Sequence, residues 1–284
     1  MRSSLKLIAA IFPALLAGCV HVPLPSTEER RASFAPYVGT RFGDQPIEHF
    51  LFVRTVFITS GLKIETTQSS ATGQYQGIKW EGTVTSDTGA GTGIVIDPRG
   101  YLLTAAHVIR GTPLHVFFYD GSVTRHMEAR LVWRGDINHG EPDLAVLHID
   151  APLPSAFTWA EKIVRGELVF ACGPDYEKEA PSPGNMTFAV FAGHIRDFSG
   201  PGAGVEKVVT VFHDAPSHPG DSGGPLVTAD GRLIAMNTYW RYDYSLLPGS
   251  HGQMTHFATR PDLAWLSNLI ENDYRQHGAG SLRK

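Results

Sequence analysis

Ser222 sits in GDSGGP, Gly220 to Pro225, a setting in which a serine hydroxyl can become a nucleophile. A glycine two positions ahead lets the backbone turn so that amide N–H groups face a reacting carbonyl, and Gly223 and Gly224 leave room for a substrate chain. A serine hydroxyl is a poor nucleophile at neutral pH, so such a site also needs a base and a group that orients the base. Both residue types stand upstream: LLTAAHV, Leu102 to Val108, carries His107, and Asp143 opens DLAVLHI. The chemistry these three permit is acyl transfer to water through a covalent acyl-enzyme. His107 takes the Ser222 proton and gives it to the leaving amine, Asp143 fixes the imidazole tautomer, and the amides of Gly220 and Ser222 bind the oxyanion. An imidazole must be neutral to act as that base, so activity is expected to fall in acid.

The elements that must hold these residues read as strands and turns. LLTAAHV is an apolar strand running into a small-residue turn, and after Asp143 the residues Leu144, Val146 and His148 alternate with Ala145, Leu147 and Ile149 as in a buried strand. The chain order His107, Asp143, Ser222 is that of chymotrypsin-like proteases. GAGTGIVIDPRGYLLTAAHVIRG from Gly89, DGSVTRHMEARLVWRGD, DLAVLHI, DAPSHPGDSGGPLV, LIAMNT and HFATRP extend the likeness over roughly residues 85 to 270. Over that span the chain resembles the trypsin-like serine proteases, and specifically their bacterial HtrA-like branch. The resemblance implies an all-β fold of two antiparallel six-stranded β-barrels with a cleft between them, His107 and Asp143 on the first and Ser222 on the second. It implies a serine endopeptidase acting on proteins or peptides, with no cofactor. GAGTG could pass for a phosphate-cradling loop, but the β-type run IVID follows where a helix would have to begin.

Two places depart from the family pattern. Asp221 stands where trypsin-like zymogens carry the aspartate that pairs with a newly released N-terminal amine, and where HtrA proteins commonly have asparagine. With an acylated N-terminus far upstream, Asp221 must be satisfied by other groups. Pro216, six residues before Ser222, stands where trypsin has the aspartate that selects basic side chains, so cleavage after Lys or Arg is not expected. His256 replaces a glycine usual in HtrA proteins. Pro216, His218, Asn237 and His256 are the candidates for the substrate pocket, and His213 also flanks the nucleophile loop. Small or medium apolar side chains are the default for a pocket without a buried charge, whereas a protonated His218 or His256 facing the substrate would favour an acidic one.

The N-terminus carries a second signal. Arg2 and Lys6 precede an apolar run from Leu7 to Ala17 that is too short to span a bilayer, and Leu16, Ala17, Gly18, Cys19 resembles a bacterial lipobox. The expectation is a lipoprotein signal peptide at 1–18 and lipidation of Cys19. Several acyl chains there would anchor the protein stably, and Val20 points to the periplasmic side of the outer membrane. Residues 19–45, rich in proline and charge, read as a tether. Residues 46–84 form an N-terminal extension that supplies the opening strand or packs outside the first barrel. Residues 85–275 are the protease domain, with 276–284 a flexible tail. Thr259 and Asp262 form a capping-box-like pair around Pro261, and Leu263, Leu266, Leu269 and Ile270 recur at helical spacing, giving a closing helix that ends near Tyr274. The ten or so residues that follow are too few for the PDZ domain usual in HtrA proteins.

Of the two cysteines, lipidation leaves only Cys172, so no intramolecular disulfide is expected; in LVFACG it reads as a buried thiol. A formal charge of -4 without a basic stripe argues against a nucleic-acid partner. Thirteen histidines occur without HExxH or similar spacing, so no metal site is expected. A low-turnover peptide-holding module on the same fold, or an esterase, is the alternative to an endopeptidase.

Overall fold

The computed structural model describes residues 41–42, 45–61, 63–68, 75–81, 88–120, 124–174, 188–200, 208–243 and 253–277. The expected leader at 1–18, Cys19, nearly all of the tether and the chain beyond residue 277 lie outside the described residues.

Strands β1 (Arg41–Phe42) and β2 (Gln45–Pro46) pair ahead of a short helix α1 (Ile47–Phe52). Then come β3 (Thr55–Ser60), a separate hairpin of β4 (Lys63–Gln68) and β5 (Tyr75–Glu81), β6 (Gly89–Asp97), β7 (Tyr101–Thr104), β8 (Leu114–Tyr119), β9 (Thr124–Glu128), β10 (Arg130–Arg134) and β11 (Ala145–His148). They form an antiparallel sheet in the order β10-β11-β7-β6-β3-β8-β9. Thr55–Ser60, buried along its whole length, lies between β6 and β8, so the first sheet takes a central strand from upstream of residue 85.

The second half is a closed antiparallel barrel in the order β12-β13-β14-β17-β16-β15. Its strands are β12 (Leu168–Pro174), β13 (Phe188–Phe198), β14 (Val209–His213), β15 (Pro225–Thr228), β16 (Leu233–Asp243) and β17 (Gln253–Arg260). The mostly β architecture is as the sequence implies, and this half has the expected six strands. The first half differs: it is a seven-stranded sheet rather than a closed six-stranded barrel. The reason is local. Only Ala129 separates β9 from β10, so one run, bent at that residue, pairs with β8 through its first part and with β11 through its second. The two edges of the sheet thus belong to the same chain segment.

One apolar core runs through both halves, joining Ile58, Ile94, Leu102 and Leu147 to Phe170, Val227 and Met236. A second cluster of Val169, Ile195, Val211, Leu226 and Ile234 fills the barrel. Helix α2 (Leu263–His277) sends Leu266 and Ile270 into the first of these. Its N-cap is Asp262, whose Oδ1 accepts the Trp265 amide at 2.9 Å; Thr259 is held in β17 and takes no part in capping. The helix continues past Tyr274 to His277 because its last turn is tied to the first sheet: Asp273 accepts from Tyr101 Oη at 2.9 Å and from both Arg130 Nη atoms at 2.8 and 2.6 Å. Among the described residues no helix is long and apolar enough to cross a membrane.

Candidate active site

The pairing of β7 with β11 sets Thr104 opposite Ala145, so the residues after the one strand meet those before the other. The chain leaves β7 through Ala105 into a 3-10 turn at Ala106–Val108; Ala105 and Ala106 are fully buried, which explains the small residues there. His107 projects from the turn. Its Nδ1 lies 2.7 Å from Asp143 Oδ2, and its main-chain N–H donates to Oδ1 at 3.0 Å. A carboxylate only accepts, so the imidazole proton is on Nδ1 and Nε2 is left as a free acceptor.

The glycine-rich strand β6 is the seam between this turn and the nucleophile loop. A Cβ on Gly89 would fall 2.1 Å from Val108 O, and one on Gly91 would fall 2.7 Å from Val108 Cγ2 and 2.9 Å from Ser222 O. The GAGTG pattern therefore serves close backbone approach and not phosphate binding. Between these glycines and the loop, the Thr92 amide donates to Ser222 O at 2.8 Å and Thr92 Oγ1 donates to Gly220 O at 2.7 Å.

In the loop between β14 and β15, Gly220 has φ +100° and Gly223 has φ +88°, backbone that L side chains rarely adopt. The amides of Asp221, Gly223 and Gly224 donate to His218 O, Asn237 O and Asp221 O at 3.0, 2.7 and 2.8 Å. Among the described residues no group accepts from the amides of Gly220 and Ser222, the two donors an oxyanion would need. The Ser222 hydroxyl donates to Thr238 O at 3.0 Å. A cleft of about 260 Å³ brings His107 and Ser222 together with Ser217, His218 and Asn237, walled by Tyr239 and Trp240.

The pocket candidates divide. His218 and Asn237 line the cleft, whereas Pro216 and His256 do not. His256 is 3% exposed, stacks on His213, and has its Nδ1 2.7 Å from Ser217 Oγ, so it stands behind Ser217. Burial pushes its imidazole down to about 4, which leaves it neutral near pH 7 and rules out a cationic pocket wall. Burial likewise pushes His213 down to about 3, its ring nitrogens near the Ala215 backbone and Asn237 side chain but outside hydrogen-bonding geometry. Cys172 is buried, its thiol pushed up by that burial and then by Asp221. Among the described residues no three His, Cys, Asp or Glu side chains could hold one metal ion. Thr92, Ser217 and Thr238 escape a reading of residue types, because each acts through a backbone or side-chain partner that only the fold supplies.

A family model described as a trypsin-like peptidase domain matches residues 91–236. The chain is 33% identical over 155 residues to Protease Do-like 1, chloroplastic, of Arabidopsis thaliana, a match covering 53% of this chain and 33% of that protein. It is 29% identical over 161 residues to Serine protease Do-like HtrA of Bacillus subtilis, with 54% and 34% covered. It is 31% identical over 157 residues to a probable periplasmic serine endoprotease DegP-like of Chlamydia pneumoniae, with 52% and 28% covered. The matches span about a third of the length of these relatives. Among solved structures, the HtrA-type protease AlgW with tripeptide superposes with a TM-score of 0.51 at 26% identity, covering 81% of this chain and 62% of that one. The serine endoprotease from Yersinia pestis has a TM-score of 0.50 at 24% identity over 85% and 69%, a likeness of fold.

Proposed function

The chain belongs to the trypsin-like peptidase family, and we propose that it is a serine endopeptidase of the HtrA type, hydrolysing peptide bonds through an acyl-enzyme. The observation that carries this reading is one cleft with His107 backed by Asp143 on one side and, on the other, Ser222 in a glycine turn beside two amides turned to no internal acceptor.

The steps follow from the geometry. The Ser222 hydroxyl leaves Thr238 O and turns to His107 Nε2. As Oγ attacks the scissile carbonyl its proton passes to Nε2, the imidazolium is stabilised by Asp143, and the carbonyl oxygen takes its charge to the amides of Gly220 and Ser222. His107 then protonates the leaving amine. Water, giving its proton to the same nitrogen, releases the acyl group and restores Ser222. Thr92 supports the loop by holding the carbonyls of Gly220 and Ser222. The side chains lining the pocket, Ser217, His218 and Asn237, favour small or medium uncharged residues at the cleaved position. Matched peptides with Ala, Val, Glu and Arg there test this, and preferred cleavage after arginine would overturn it.

The bond from Ser222 to Thr238 is what favours the second reading, a fold that holds peptides with little turnover. Labelling with a serine-reactive fluorophosphonate, followed by a peptide-library digest, separates the readings: an endopeptidase labels and cuts, an esterase labels without cutting, a binding module does neither. Protein or peptide substrates follow from the family. A place in the bacterial envelope is supported by relatives whose names call them periplasmic. The tether is proposed from the lipobox alone: Cys19→Ser should release the protein from the membrane fraction or leave an unprocessed precursor, and mass spectrometry finding an unmodified Cys19 would refute it.

A further inference from the structure

The nucleophile loop contains a carboxylate that the proposed chemistry does not use. Asp221 lies between Gly220 and Ser222 and is 3% exposed. It packs so tightly on β12 that a Cβ at Gly173 would fall 1.7 Å from its Oδ1. Burial pushes its carboxyl up, because an ionised group out of water needs a partner. From its own loop, the His218 amide donates to Oδ2 at 2.6 Å and His218 Nδ1 lies 3.6 Å from the same oxygen. From β12 it faces the protonated thiol of Cys172. The His218 ring packs against Phe191 of β13, centroids 4.8 Å apart and planes tilted by 47°. Beyond it stand His256 of β17, kept neutral by burial, and Asp214 just after β14. Among the described residues His218 is the cation-capable side chain in ion-pair range of Asp221.

We propose that His218 is a positioning residue: it holds the Asp221 carboxylate inside the loop and thereby keeps the flanking amides of Gly220 and Ser222 turned toward the cleft. The geometry makes the coupling short. The turn from His218 to Asp221 is closed by the Asp221 amide on His218 O at 3.0 Å, so both residues of the pair frame the Gly220 peptide. Thr92 Oγ1 holds Gly220 O, the carbonyl of the same Gly220–Asp221 peptide whose N–H closes the turn, so a shift of Asp221 passes to the two flanking peptides, which carry the Gly220 and Ser222 N–H groups. This role rests on the serine endopeptidase reading.

The test is a double-mutant cycle on the full chain. His218→Ala should lower kcat by about 100-fold or more with KM within about threefold, since one lost oxyanion donor costs about 10²–10³ in kcat. Adding Asp221→Asn should restore about tenfold or more, because a neutral amide no longer requires the imidazole. Losses that add, a His218→Ala variant within about threefold of the parent, or a change confined to KM would each overturn the proposal. Hydrogen exchange of residues 217–222 in the Ser222→Ala background reads loop order without turnover. Exchange should quicken on His218→Ala and slow again in combination with Asp221→Asn, and unchanged exchange overturns the proposal whatever the activity. A parent that neither labels with fluorophosphonate nor cuts peptides would instead sink the endopeptidase reading, leaving the exchange measurement to decide the role of His218.

Discussion

The Ser222 hydroxyl gives its single proton to Thr238 O and not to His107, so under the proposed mechanism the pairing with His107 forms as the substrate enters. Ser222→Ala should lower kcat by about a millionfold with folding intact, and Asp143→Asn by about ten-thousandfold, because His107 then adopts the wrong tautomer; peptide hydrolysis retained by either variant would sink the assignment. Thr92→Val keeps the shape of that side chain but removes the bond to Gly220 O. It should lower kcat about fivefold for about 1 kcal/mol of lost loop support, with KM little changed in the same assay. The three residues of the proposed triad are legible in the sequence because nucleophilic chemistry demands particular residue types, one of them in a glycine turn. Thr92 and Thr238 are not, since a threonine that works through a distant carbonyl looks like any strand threonine. His256 is misplaced by sequence reading because a residue's register in β17 says nothing of whether Ser217 stands in front of it.

At the scale of elements, glycine placement is the most informative feature. Gly89 and Gly91 let β6 touch both the His107 turn and the Ser222 loop, and a string of glycines within a β-type run stands out in the amino-acid sequence itself. The sharing of β9 and β10 between two sheet edges does not, because nothing about Ala129 as a residue marks a bend. The closing helix is legible from its apolar period, but its length is set by Asp273, whose partners Tyr101 and Arg130 come from the first sheet. Burial pushes the Asp273 carboxyl up, yet the hydrogen bonds from Arg130 and Tyr101 outweigh it and hold it below the ordinary value. The stability from this clamp is therefore present above the usual carboxylate range and lost as pH falls through it. Asp273→Asn should cost about 2 kcal/mol near neutrality, seen as a lower urea midpoint at unchanged slope. The gap from the parent should close in acid, and an equal gap at every pH would deny the clamp.

The whole molecule carries several imidazoles that burial keeps uncharged: His213 is pushed down to about 3, His256 and His126 to about 4, each of them also by a neighbouring histidine. Each unfolds to an ordinary value near 6.5. Between that value and the depressed one the unfolded chain binds more protons than the folded one, so stability is full above about pH 6.5 and drains away as pH falls. Asp221 and Glu167, pushed up by burial, have the opposite sign and gain stability on protonation, but the buried imidazoles, His148 among them, are expected to outweigh them. The prediction is a thermal midpoint several degrees lower at about pH 5 than at about pH 7.5, measured in Ser222→Ala so that self-digestion cannot intrude. A histidine as deeply buried as His213 contributes about 2 kcal/mol to that difference. His213→Phe alters packing equally at both pH values while removing the titration, so the separation of its two midpoints should shrink relative to the parent. An unchanged separation would mean that His213 is protonated, or solvated, inside the barrel, and the acid sensitivity would then have to come from His256 and His126.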